Sequence, residues 1–343
     1  MSKIWTWWKQ TVLLGVMMMS TATATAAEEE PLRIRSVFDI NSAFCAIKTN
    51  GVLGMDNRHS AVAGRGFGTS SSNALMVLEN GENEITVEIG ALGWFSKETI
   101  SDDARKAFKP DAKCKVALTA FKGEQSRVLS QLTIAIGQDG IPYVPSGGET
   151  DSAKAEKVAV KKITAQQVEK GHIPDNYFRE NNFPVGMELY QFTKKVHLKN
   201  IPEWKWTRAT PFTGKPEQIQ ALKIAYLDLW HLFAEKNQSA IKLSLSESLN
   251  ARSITTGDSV DEIYSGTSFS ESFEDPSFKM IPINWSDYEI EVMNNKKMVR
   301  FVNKSNPLVS PIFYFTENEN GKKKMKYFSP IFSLVDERFI PVI

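Results

Sequence analysis

Asp228, His231 and Glu235 stand three and four positions apart, the spacing that brings side chains onto one face of a helix. A carboxylate beside an imidazole is the pairing that general acid–base chemistry needs, since the carboxylate fixes the ring while the ring moves the proton. These three are the candidate catalytic residues. A solvated polar stripe explains the same spacing, and Ile224 and Leu227 interrupt the face, so the stripe is preferred and no catalytic role is assigned. The other histidines, His59, His172 and His197, are scattered, and no H-E-x-x-H or G-x-S-x-G pattern occurs. Cys45 and Cys114 are 69 positions apart without a C-x-x-C, which is not metal-ligand spacing. No metal is expected. Gly64-Arg65-Gly66-Phe67-Gly68-Thr69 has the glycines of a phosphate loop, but a phosphate cradle needs a helix next. Ser70-Ser71-Ser72-Asn73 follows instead, so a plain loop is expected and no cofactor.

Recognition is the better prospect than reaction. Trp204 and Trp206, alternating around Lys205, would share one face of a strand, and Trp94 lies beside Phe95. Core packing or a stacking platform would use them equally well, with the core preferred. The run Lys322-Lys323-Lys324-Met325-Lys326 is a basic patch whose hairpin partners, Glu317 and Glu319, offset two of its four lysines. A charged, soluble strand edge is the expected role.

The elements that must position these residues begin after a targeting segment. Lys3 and Lys9, the apolar stretch Thr11–Met19 and the small-residue tail ending Ala24-Thr25-Ala26 form a signal-peptide pattern over residues 1–27. The apolar stretch is about half the length that spans a bilayer, and no later stretch is long enough. A periplasmic or secreted protein without a membrane span follows. In an oxidising compartment Cys45 and Cys114 are expected to pair; the alternative is two buried thiols that never meet. Without residues 1–27 the chain carries 39 positive and 40 negative side chains, a balance that argues against nucleic acid as partner.

From Leu32 to Val144, short strands alternate with Asn50-Gly51, Asn80-Gly81 and Asp139-Gly140 turn signals. Glu84–Ile89 alternates cleanly, with Ile85, Val87 and Ile89 inward and Glu84, Thr86 and Glu88 toward water. Val116–Phe121 and Val128–Ile136 are further strands, and Lys97–Phe108 is a candidate helix. Residues 145–157 hold no aromatic or branched aliphatic side chain and are expected to form a mobile loop. Met187–Leu198 and Trp204–Ala209 are extended and close the first sheet, giving a β-sandwich domain over 28–212; a separate small domain at 158–212 is the alternative. The segments Asn50-Gly51-Val52-Leu53-Gly54 and Leu78–Val87 resemble the turn and strand entries of galactose-binding-like jelly-roll modules, which implies a sandwich but no sugar site.

At Pro216-Glu217 a long helix opens and runs to Asn237, its apolar residues covering so much of the circumference that it should be mostly buried. Two further helical segments near 238–265 follow, then hairpins. With Asn294-Asn295 as a two-residue turn, Ile290 faces Val299 and Glu289 faces Arg300. A second turn at Asn320-Gly321 sets Glu317 against Lys324 and Tyr314 against Tyr327. Helix first and antiparallel strands after, with Ala221–Ser246 as the opening, resembles the NTF2-like superfamily, which implies an α+β domain over 213–343. Where that family often carries an acid after its first helix, this chain has Asn237. The expectation is an exported, non-catalytic binding or accessory protein that recognises another protein, immunity-type or secretion-associated. The alternatives are a small-molecule pocket enzyme of NTF2-like type and a carbohydrate-binding protein.

Overall fold

Ten segments, several of which alternate apolar and polar residues, build two antiparallel sheets in the computed structural model, which describes residues 31–145, 158–318 and 320–343. Residues 1–27, expected to be a signal peptide, and residues 146–157 of the expected loop lie outside that description. In chain order the strands are β1 (Arg33–Asn41), β2 (Phe44–Thr49), β3 (Val52–Asp56), β4 (Gly68–Asn73), β5 (Gly81–Gly90), β6 (Lys113–Lys122), β7 (Gln125–Ile136), β8 (Pro142–Tyr143), β9 (Ala159–Thr164) and β10 (Glu188–Leu198). One sheet runs β4-β1-β6-β7-β8 and the other β3-β2-β5-β10-β9. Two short helices, α1 (Arg58–Val62) and α2 (Asp102–Lys106), lie in the connections.

Asn50-Gly51 forms the two-residue hairpin turn that its composition calls for. Both residues sit at positive φ, +50° and +78°, and Thr49 pairs with Val52 across the turn. Phe38, Val116 and Ile134 of the first sheet and Ile47, Val87 and Phe192 of the second share one core. Cys45 on β2 and Cys114 on β6 are disulfide-bonded across that core, with Cα atoms 6.4 Å apart. Met187–Leu198 joins the second sheet as β10, paired with β5 on one side and β9 on the other.

Several local expectations change. β5 is central, so its outer face is shielded as well: Thr86 and Glu88 are buried, the carboxylate of Glu88 accepting from Lys48 and Gln191, each at 2.7 Å. Lys97–Phe108 yields only α2, capped by Ser101, whose Oγ accepts from the Ala104 amide at 3.2 Å. Trp204–Ala209 is a tight 3₁₀ turn and not a strand.

The second half opens with α3 (Pro216–Ala234), Pro216 at the first turn. Leu222, Tyr226, Leu229 and Phe233 are buried, whereas Ile224 is 48% exposed, so the helix buries one face rather than most of its circumference. Four short helices follow where two were expected: α4 (Gln238–Ser244), α5 (Ser246–Thr256), α6 (Val260–Ser265) and α7 (Phe269–Glu274). Asn237 is the N-cap of α4, its side-chain oxygen accepting from the Ala240 amide at 3.1 Å. The remaining strands are β11 (Lys279–Met280), β12 (Tyr288–Met293), β13 (Met298–Asn303), β14 (Ile312–Glu317), β15 (Lys323–Phe328), β16 (Phe332–Val335) and β17 (Arg338–Pro341). They form a β11-β14-β15 sheet and a β12-β13-β16-β17 sheet.

Both hairpin registers differ from expectation, for a reason that lies in the turns. Asn294, Asn295 and Lys296 all take positive φ in a four-residue loop, so Met293 pairs with Met298. The shift of two keeps each face intact but changes partners: Ile290 meets Phe301, and the ion pair is Glu291–Arg300 at 2.6 Å. In the second hairpin the Asn318 amide donates to Lys322 O and Gly321 sits at φ +69°. A loop of three residues with a left-handed glycine slips the register by one. Glu317 therefore opposes Lys323, and Tyr314 opposes Lys326.

Residues 31–343 form one compact unit. Met293, Met298, Ile331 and Val342 belong to the core of the first two sheets, while α3 centres a second core with Phe301, Phe313 and Phe332. Asn294 ties the β12–β13 turn to the first half: its amide donates to Asn50 O at 2.8 Å and its side chain to Val77 O at 3.1 Å.

Candidate functional site: a cationic cleft beside a sheet edge

The connection from Ala165 to Met187, between β9 and β10, lies across the second half and is fastened at two places. At the first, His172 stands between two carboxylates, with Nδ1 2.8 Å from Asp287 and Nε2 3.2 Å from Glu169. The main chain there is bonded as well: the Glu169 amide donates to Lys304 O at 2.9 Å, and Asn303 Nδ2 donates to His172 O at 2.8 Å. At the second, Arg58 of α1 lies between the rings of Phe44 and Phe183, 4.8 and 4.3 Å from their centroids. Its guanidinium donates to Asn182 O and to the Asp56 carboxylate. Removal of Arg58 from water pushes its pKa down, and Asp56 opposes that shift, so the group stays a cation.

Between these fastenings the connection runs beside the β14–β15 hairpin and frames a cleft of about 560 Å³. Asn176, Tyr177 and Arg179 line one side, and residues 322–326 with Asn318 line the other. Tyr177 fixes the two sides together. Its hydroxyl donates to Lys323 O at 2.9 Å and its ring lies 5.6 Å from that of Phe315. Arg179, Lys322, Lys323, Lys324 and Lys326 line the cleft, and no carboxylate does so among the described residues. Among those residues Lys322, Lys323 and Lys324 make no ion pair, since the slipped register sets only Glu317 opposite Lys323 without contact between charges. Lys326 donates to Ser272 Oγ at 3.0 Å and lies near Asp275. Ser277, through its hydroxyl and amide, holds the Asp275 carboxyl below the usual carboxylate range.

A second opening of about 640 Å³ has an apolar floor of Leu32, Ile34, Leu129 and Leu198 beneath a rim that includes Arg127, His197 and Lys199. It repeats the cationic character at the end of the first two sheets.

The residues singled out from sequence fall elsewhere. Asp228 and His231 are exposed on the outer face of α3 and Glu235 is exposed at its C-terminal end; only the Glu235 amide bonds to His231 O, at 2.9 Å, and no side-chain hydrogen bond joins the three among the described residues. The His231 ring makes an edge-on contact with Trp230, 5.4 Å between centroids. Trp204 and Trp206 are 3% and 2% exposed, their indole N–H groups donating to the carbonyls of Leu75, Leu78 and Met76. Trp94 is buried too, with Arg105 5.7 Å from its ring. None of the three offers an open face for stacking. Gly68 and Thr69 of the glycine-rich segment begin strand β4, which continues through Ser70–Asn73 where a plain loop was expected. The sequence did mark the lysine run; the register sets Glu317 opposite Lys323 in place of Lys324, with no ion pair between them, and the expected partner Glu319 lies outside the described residues. Tyr177 and His172 carried no local signal for their roles, because Lys323 and Asp287 lie more than a hundred positions away in the chain.

Among the described residues no group of three or more His, Cys, Asp or Glu side chains is placed to hold a metal ion. No helix among them is long and apolar enough to cross a membrane. No known protein family, curated protein or solved structure matches this chain.

Proposed function

We propose that this chain is an exported, non-catalytic binding or accessory protein that recognises another protein, in a periplasmic or extracellular setting. The observation that carries the reading is the cleft between the 165–187 connection and the β14–β15 hairpin, where five cations gather in a chain whose charges otherwise balance. A concentration of one sign of charge on an open surface steers and orients a partner of the opposite sign. The Cys45–Cys114 disulfide supports an oxidising compartment. Within this reading the first two sheets are a β-sandwich of jelly-roll type, and α3 with the later sheets is an NTF2-like α+β layer. An immunity-type or secretion-associated role belongs to the same class.

The test is affinity capture by the purified chain from an extracytoplasmic extract of its own cell. A polypeptide released by raised salt is the expected result. Recovery of a glycan alone would replace the reading with carbohydrate binding. A turnover that falls about a hundredfold in a His231→Gln variant, with circular dichroism unchanged, would replace it with acid–base catalysis.

A further inference from the structure

β15 is the outer strand of the β11-β14-β15 sheet. Which of its backbone groups face outward follows from the hydrogen bonds at its start. The Glu317 amide donates away from β15, to Ser277 Oγ at 2.7 Å, so Glu317 and Lys323 form a pair that does not exchange main-chain bonds. In such a pair the N–H and C=O of both residues point away from each other. Lys323 O accordingly points out of the sheet, where Tyr177 meets it. The antiparallel ladder alternates, so the N–H and C=O groups of Met325 and Tyr327 point outward too.

The cleft lies along this edge and not over one face of the strand. Consecutive strand residues alternate between faces, yet 322 through 326 all line it without a gap. Only the edge is common to both sets. An outward row of main-chain donors and acceptors, with lysines on both sides of it, is a complement to an extended chain that carries carboxylates.

We propose that the open edge of β15 receives an extended, acidic segment of a partner polypeptide as an added strand. The segment's main chain pairs with Met325 and Tyr327, and its carboxylates meet Lys322, Lys324 and Arg179. Lysines along an edge deter indiscriminate pairing with neutral strands. The same lysines admit a strand of opposite charge, so one device excludes the wrong partner and selects the right one. Tyr177 and the connection it belongs to limit the cleft on the far side. This inference rests on the binding-protein reading and names the chemistry of the partner.

The probe is a labelled, acetylated octapeptide of alternating Glu and Thr, titrated into the full chain at low and moderate salt by fluorescence anisotropy. Saturable, salt-sensitive binding is expected. N-methylation of alternate peptide nitrogens keeps every charge and removes main-chain donors, and should weaken binding at least about tenfold. The combined change Lys322→Gln, Lys324→Gln should weaken it by a similar factor, with circular dichroism unchanged. Equal binding of the N-methylated peptide, or equal competition by inorganic polyphosphate, would make the cleft a general anion site and overturn the added strand. Absence of binding would overturn it as well. If a native partner is captured equally by wild type and by the double lysine variant, the binding-protein reading stands and the β15 edge is not its site.

Discussion

Loss of the bond between the two sheets should be the largest single covalent perturbation of stability. Cys45 and Cys114 lie wholly out of water in the shared core, and the bond closes a stretch of 69 positions. In the chain-entropy relation such a loop restricts the unfolded chain by about 15 cal/mol/K, or about 4 kcal/mol at 25 °C. Measured losses fall at or below that figure, so Cys45→Ala with Cys114→Ala should cost about 2–4 kcal/mol. With a urea slope of about 3 kcal/mol per molar, the unfolding midpoint falls by about 1 M. The assay is urea unfolding followed by tryptophan fluorescence, since Trp94, Trp204 and Trp206 all report on the first half. Near-ultraviolet circular dichroism checks that the variant packs as before. A native spectrum with a midpoint unmoved by more than about 0.2 M would refute the argument, because the unfolded chain would then gain no freedom from loss of the crosslink.

Tyr226→Phe removes the hydroxyl that accepts from the Phe301 amide at 3.1 Å and donates to Pro330 O at 3.3 Å. It should cost about 1–3 kcal/mol in urea unfolding because a buried N–H is left without a partner; a neutral result would mean that this amide is bonded elsewhere. Burial raises the pKa of Tyr226 and Tyr288 well above the ordinary value of about 10. The unfolded chain then gives up protons that the folded one keeps, so this stability is intact below about pH 10 and is lost as pH rises beyond it. A urea midpoint that holds or increases between pH 9 and pH 11 would contradict the burial of both hydroxyls. Asn237→Ala should cost about 1 kcal/mol by loss of the α4 cap, while Asn237→Asp keeps the oxygen and should stay near wild type. Equal thermal melts for Asn237→Ala and wild type would show that the cap contributes nothing.

Much of the β-rich architecture was legible because it is written in nearest neighbours. Ile85, Val87 and Ile89 alternate with polar residues, and Asn50-Gly51 supplies the positive φ of a two-residue turn. Such signals act over a few residues and leave few alternatives. Helix α3 was legible for the same reason, with Pro216 at its start and Leu222, Tyr226, Leu229 and Phe233 at helical intervals. The cysteine pair was legible through composition and the expected compartment, while the 6.4 Å approach of their Cα atoms came from the packing of the two sheets.

What escaped was decided by turns and by distant partners. A hairpin's register depends on one loop residue more or less, and with Gly321 at φ +69° Glu317 stands opposite Lys323 in place of Lys324, without an ion pair. Trp204 and Trp206 looked equally suited to a surface or a core until Leu75, Met76 and Leu78 supplied carbonyls for their N–H groups from some 130 positions away. The face of α3 that carries Asp228 and His231 became a solvent face only when the sheets packed on its other side. Residue types and short spacings determined the elements and their buried faces. Tertiary structure alone decided which charges stayed unopposed, because opposition requires two groups within a few ångströms and chain distance does not measure that.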